Sequence, residues 1–464
     1  MTSQNPQPDL TAQSAGLLSV DELTTLVTGG EITAVMVGVP DMMGRLKGKI
    51  LDSVHFLAQL PAGPAMCAYV LASDVDMNTA GGFGLAGWHT GYGDLHVVPD
   101  QKAIRRLSYL PGTVLVLGDV ENPDGTAVDV APRRMLREQL RVLLARHQVE
   151  VRVGVESEFV LYQGTEAQIR DAGYQGMTPA SPHNLDYALE HPTVLRAFFH
   201  DLRDALAQAG SPVEAVKTEG AAGQVEVTWP YGDPVRACDA YAVHKHAVRH
   251  IAAHHGMTST FMAAPQTGVG SGLHLHVSLW RDGVPVFTPR SHGELPDLLH
   301  HSVAGLLGAL PHLAPLYAPT TNSYKRYAAR SFAPTNFTWG VDNRTCAVRV
   351  AVHRENTRLE VRLAGADANP YLALAAVVAA ISHGLTGHPK LPEPVIGDAY
   401  TDVDSLPVPR TLDEALTDFR ENHIARHAFG EEVLDHYARA AEIEIAAERG
   451  QVTDIDRERG FLRA

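Results

Sequence analysis

The sequence predicts an α+β protein of two domains, and three observations carry that reading. Its 464 residues, 45% hydrophobic and 20% charged, are more than one hydrophobic core ordinarily organises. Up to about residue 125, short β-type runs follow one another across Gly/Pro-rich turns. From residue 126 onward, amphipathic helices alternate with strands.

Taken in order, residues 1–18 are polar and rich in Pro and Gln, which predicts a flexible tail. Ser19 is placed to cap a helix over VDELTTLV. ITAVMVGV, AMCAYVLA and GTVLVLGDV are then the strands of a small domain over 19–125. APRRMLREQLRVLLARH opens the larger domain, 126–464, with a helix, and the stretch from Cys238 to His255 predicts another. No internal repeat or low-complexity block interrupts this pattern.

Composition narrows the function. A net charge of −15, from 38 basic and 53 acidic residues, does not suit a nucleic-acid binder, which needs clustered Lys/Arg to neutralise phosphates. Cys67, Cys238 and Cys346 are too scattered for a zinc site or a disulfide framework and read as reduced thiols. The start, MTSQNPQPDL, lacks the basic and apolar regions of a signal peptide. The longest apolar run, LALAAVVAAI at 372–381, is too short to cross a bilayer. The expectation is a cytoplasmic protein with no membrane segment. GFGLAG, with Gly82, Gly84 and Gly87, fits G-x-G-x-x-G, but a loop-type sequence follows it where a dinucleotide site needs a helix.

The chemistry is concentrated in strands with an apolar back and an ionic front. In GVESEFVL, Glu156 and Glu158 share a face while Val155 and Phe159 point the other way. GSGLHLHVSL sets His274, His276 and Ser278 opposite a row of leucines and Val277. GQVEVTW places Glu226 opposite two valines, with Glu219 just upstream. RLEVRL and AVRVAV do the same with Arg358, Glu360, Arg362 and Arg349. One such strand is ordinarily the solvated side of a half-buried sheet. Several of them, rich in Glu, His and Arg rather than Lys, Thr and Gln, point to a divalent-metal and phosphate site.

At these residues the chain resembles the glutamine synthetase family, from about residue 35 to the C-terminus. The most specific pieces are GVESEF, GVGSGLHLHVSL, PTTNSYKR, DNRTCAVRV and RLEVRLAGADANPYL. The resemblance implies an N-terminal β-grasp domain, a C-terminal catalytic α/β domain with a barrel-like sheet, and a homo-oligomer, usually a dodecamer of two stacked hexameric rings. It implies one metal site at Glu158, Glu219 and Glu226 and a second at Glu156, His274 and Glu360, holding Mg²⁺ or Mn²⁺ with ATP phosphates between them. Nucleotide contacts would be Glu214, His276, Ser278, Arg349 and Arg358. Glutamate contacts would be Gly270, His274, Arg326 and Arg362, and Arg344 matches an arginine of the phosphate-acceptor region. Glutamate would become γ-glutamyl phosphate, which an amine then attacks.

Departures from the family pattern bear on the amine. Ammonia-using members carry Glu-Ala-Pro in a flap, where this chain has RSFAPTN with Phe332 in the glutamate's place. Their Phe-Asp-Gly-Ser-Ser element is missing from AYVLASDVDMN, although Asp74 and Asp76 are close by, and Val269 replaces the asparagine before Gly-Ser-Gly. Losing an anion from an ammonium pocket favours a carbon-bearing amine. The expected substrate is a short amine such as ethanolamine, followed by polyamines and then ammonia. A non-catalytic structural or regulatory oligomer is disfavoured, because nothing else would maintain such clustered carboxylates.

Overall fold

A computed structural model describes residues 16–289, 295–352 and 356–463. The expected tail falls largely outside them, and of its last residues Leu17–Leu18 forms the edge strand β1. Ser19 caps the helix Val20–Thr28 in a reciprocal box with Glu22. The small sheet continues with β2 (Ala34–Pro40), β3 (Leu46–Asp52), β4 (Ala65–Cys67), β5 (Asp94–Arg106) and β6 (Thr113–Glu121). Its order is β1-β5-β6-β2-β3, with β2 and β6 parallel and β4 paired to β5. This is the β-grasp arrangement. Only Ala65–Cys67 of AMCAYVLA is strand, because the chain then winds into a single tight helical turn over Ala68–Leu71. GFGLAG lies in a loop, with Gly82 at φ 94° packed against Arg439.

The larger domain is built on β7 (Glu150–Gln163), β8 (Ala215–Thr218), β9 (Gln224–Thr228), β10 (Met257–Thr260), β11 (Leu273–Arg281), β12 (Val284–Pro285), β13 (Trp339–Val341), β14 (Val348–Ala351) and β15 (Arg358–Val361). Their order is β13-β14-β15-β11-β7-β9-β8. Val155, Phe159, Val225, Val227, Leu275 and Leu359 bury the back of this sheet, and helix Pro234–His254 packs against β7 there. Helix Pro132–His147 packs in turn on helix Pro370–Gly387. The latter corrects the expectation drawn from LALAAVVAAI: the helix has 18 residues and is long and apolar enough to span a bilayer, but 83% of it is buried inside the domain. Cys67, Cys238 and Cys346 are free thiols.

Buried polar contacts join the two sheets' domains. Arg133, 2% exposed, bonds Asp100 on β5 at 2.8 Å, Asp119 on β6 at 2.9 Å and Asp239 of the larger domain at 2.8 Å. The Tyr371 hydroxyl completes the hub by donating to Asp239. Burial pushes the Asp239 carboxyl up, but Arg133 outweighs it and holds the acid ionised, below its usual range.

Candidate active site

Strand register builds the site. On β7, Glu156 and Glu158 face forward while Val155, Ser157 and Phe159 are buried behind. Antiparallel pairing sets His274 opposite Glu156 and Glu360 opposite His276, and Arg349 comes opposite Glu360. On the other flank Glu226 lies opposite Glu158, and Lys217 opposite Glu226. Directly opposed residues share a face with Cβ atoms about 5 Å apart. The pairings therefore gather charges that are distant in sequence.

Two clusters result. In the first, oxygens of Glu158, Glu219 and Glu226 lie within 4.8 Å of one another. The Gly272 N–H donates to Glu158 Oε2 at 2.7 Å, and the Gln224 amide does so at 3.2 Å. Lys217 Nζ is bonded to Glu219, 3.9 Å from Glu226 and 3.3 Å from Asp186. Burial, then repulsion from Glu156, pushes the Glu226 carboxyl up to about 9, since Lys217 offsets only part of the crowding by Glu219 and Glu158. Hard oxygen ligands with surplus negative charge fit a divalent cation such as Mg²⁺ or Mn²⁺.

In the second cluster, ligand atoms of Glu156, His276 and Glu360 also lie within 4.8 Å of one another. The sequence expectation here was Glu156, His274 and Glu360. The structure brings His276 into this set because it is the residue in register with Glu360. His274 stands between the clusters, with Nδ1 3.2 Å from Glu156 and 4.0 Å from Glu360, and Nε2 3.9 Å from Glu158. Arg349 Nη1 donates to Glu360 at 2.6 Å, and Arg362 bonds its other oxygen. Burial raises the Glu360 carboxyl, but Arg362, His276 and His274 more than compensate and bring it down to about 2. Glu156 is likewise held well below the carboxylate range, burial being outweighed by the two imidazoles.

A cavity of about 520 Å³ opens beside the second cluster, and Glu214, Tyr231, His276, Ser278 and Arg358 are among its walls. Arg358 Nε donates to His276 Nδ1 at 3.1 Å, leaving the protonated Nε2 2.9 Å from Glu156 Oε1. Tyr231 and Trp280 stack in the same wall at 6.2 Å. Arg349 does not line this cavity; it spends its guanidinium on Glu360 and Asp342.

Beyond His274, Arg326 is 4% exposed and donates to the carbonyls of Arg362 and Leu363 at 3.2 and 3.1 Å. The glycines of GVGSGLHLH make room for it. A Cβ on Gly270 would meet the Arg326 stem at 3.1 Å, and one on Gly272 would meet both Arg326 Nη2 and His274 Nε2 at 2.7 Å. Arg362 Nη2 donates to the Phe332 carbonyl at 3.3 Å, and the Tyr400 hydroxyl holds the next carbonyl, of Ala333. Phe332 itself is at φ 59° and 63% exposed. Arg344 is exposed in the turn after β13 and makes no side-chain ion pair or hydrogen bond among the described residues. Sequence reasoning missed Lys217, Gln224 and Asp342, whose roles emerge only from strand pairing.

Comparison with known proteins places this geometry. Residues 129–460 match the family of the glutamine synthetase catalytic domain. The chain is 42% identical to the gamma-glutamylethanolamide synthetase of Streptomyces coelicolor, over 96% of both chains. It is 31% identical to a glutamate–isopropylamine ligase from a Pseudomonas species, over 88% of this chain and 90% of that one. A solved structure titled as a GmaS/ADP complex superposes with a TM-score of 0.80 at 24% identity, covering 95% of this chain and 99% of that one. The chain belongs to the glutamine synthetase family.

Proposed function

We propose that this ligase joins the γ-carboxylate of L-glutamate to a short primary amine, best represented by ethanolamine, at the expense of ATP. The observation that carries the reading is Phe332, an exposed aromatic ring in the flap where ammonia-using members have a carboxylate. Without that anion the flap offers no counter-charge to a small ammonium ion, and its apolar surface suits an amine with a carbon chain. The 42% identity to a gamma-glutamylethanolamide synthetase supports the same choice. Asp74 offers little to the distal ammonium of a polyamine, since its two oxygens accept from the Asn78 N–H and amide.

Each side chain then has a task. Arg326 and Arg362, with Gly270 and His274, hold the substrate glutamate, while Glu214, Ser278, His276 and Arg358 bind the nucleotide. Glu158, Glu219 and Glu226, and Glu156 with His274 and Glu360, would hold Mg²⁺ or Mn²⁺. These ions neutralise the transferring γ-phosphoryl group when bound. Glutamate's γ-carboxylate oxygen takes the γ-phosphoryl of ATP, releasing ADP. The amine nitrogen then attacks the γ-carbon and phosphate leaves, with loss of the nitrogen's proton. Arg344 stabilises the phosphoryl charge on the acceptor side. The working unit is a cytoplasmic homo-oligomer, a dodecamer of two rings, with sites between neighbouring subunits.

The test is phosphate release from ATP and glutamate with a panel of amines, with products identified by mass spectrometry. γ-Glutamylethanolamide formed in preference to glutamine at matched free-base concentrations is the expected result. Preference for ammonia would return the protein to ordinary glutamine synthesis, and preference for putrescine or spermidine to polyamine chemistry.

A further inference from the structure

Lys217 stands at the first cluster and has no part in the mechanism above. Its ammonium contacts Glu219, lies 3.9 Å from Glu226 and 3.3 Å from Asp186, and sits 4.6 Å from the centre of the Tyr187 ring. An alkylammonium among carboxylates and over an aromatic face is well held, by Coulomb attraction and by the ring quadrupole. A divalent ion shared by Glu158, Glu219 and Glu226 would need their oxygens at about 2.0–2.6 Å. It would then lie within a few ångströms of the ammonium, where repulsion between a single and a double positive charge is severe. Both cations cannot use Glu219 and Glu226 together.

We propose that Lys217 is a tethered counter-ion of this cluster, and that a divalent ion gains the three carboxylates only as the ammonium withdraws to Asp186 and the face of Tyr187. The receiving groups are already in contact with it, and the flexible four-carbon stem makes the shift without backbone movement. The segment that receives it is fastened to the site by the Thr218 hydroxyl, which donates to the Leu185 carbonyl at 2.6 Å. Metal loading would thereby transfer one positive charge from the carboxylates to the 185–187 segment. The inference rests on the reading that this cluster holds a divalent ion.

The experiment uses the full-length, chelator-treated oligomer and titrates Mn²⁺ by calorimetry. Lys217→Met should bind the first Mn²⁺ about tenfold more tightly than wild type, through loss of one like charge at the site, while Lys217→Arg should show no such gain. In the wild type, Lys217 should acetylate several-fold faster with a water-soluble acylating reagent when Mn²⁺ is saturating than when it is absent, followed by peptide mass spectrometry. Unchanged or slower labelling on Mn²⁺ addition overturns the proposal even should the methionine variant fail to fold. Equal Mn²⁺ affinity in wild type and Lys217→Met overturns it as well. Absence of Mn²⁺ binding by the wild type would instead remove the metal assignment itself.

Discussion

The two carboxylate clusters stand side by side on one sheet, yet they balance their charge in opposite ways. Around Glu156 and Glu360 the polar partners are built in: Arg349 and Arg362 grip Glu360, and His274 and His276 flank Glu156. Both acids are ionised far below neutrality as a result. Around Glu158, Glu219 and Glu226 a single lysine serves Glu219 and Glu226, and Glu226 is pushed up to about 9. The cluster around Glu156 and Glu360 is prepaid; the one around Glu158, Glu219 and Glu226 keeps a deficit that an exchangeable cation can fill.

The largest expected effect breaks the Glu158 cluster outright. Glu158→Ala leaves a divalent ion two carboxylates and frees the Gly272 N–H, so phosphate release should fall by ~10³-fold or more. Near-normal turnover at saturating Mg²⁺ would take Glu158 out of the site. Arg326→Ala should act on substrate binding, raising the KM for glutamate by roughly 10- to 100-fold through loss of charged hydrogen bonds. A KM that does not move would mean that Arg326 only pins the carbonyls of Arg362 and Leu363.

A third test sharpens the contrast by pH. The Glu226 carboxyl lies above its ordinary value of 4.5, so its charged form is disfavoured in the folded protein. The metal-free protein should lose stability from this group as pH rises above 4.5, with the whole loss present above about 9. Glu226→Gln should therefore melt a few degrees higher than wild type at pH 8 in chelator and at the same temperature at pH 4. Glu360→Gln should instead melt lower than wild type at pH 8, since its carboxylate stabilises the fold fully above its ordinary value of 4.5, and the difference should close only as pH falls toward 2. The smallest effect belongs to the flap. Phe332→Glu should move the ratio of glutamine to γ-glutamylethanolamide by about tenfold, within the ~1–3 kcal/mol that one side chain usually commands. An unmoved ratio would place the choice of amine elsewhere.

Much of this contrast was legible in the sequence because alternation declares a strand's faces. GVESEF, LHLHVSL and RLEV each announced an ionic front. Register was not legible, because it pairs residues as far apart as His276 and Glu360, and so the nearness of His276 as well as His274 to the Glu156 carboxylate emerged only from the structure. Lys217 was hidden for a related reason. Its strand is only the four residues AVKT, too short for alternation to show, and it becomes significant only once Glu226 is known to lie across from it. The early end of the strand in AMCAYVLA and the full length of the helix around LALAAVVAAI likewise depended on tertiary packing rather than on local composition.

The Arg133 hub carries a consequence for modularity. An oily joint between domains tolerates exchange, since any apolar surface of similar shape will serve. Here the small sheet supplies two of the three acids that neutralise a guanidinium rooted in the catalytic half. A foreign sheet that covered Arg133 without acids at the places of Asp100 and Asp119 would leave a buried guanidinium short of its partners, a loss that costs about 3–5 kcal/mol when one partner of a buried pair is deleted. Neither half can thus be traded for a foreign counterpart unless the incoming surface brings its own acids to the same places.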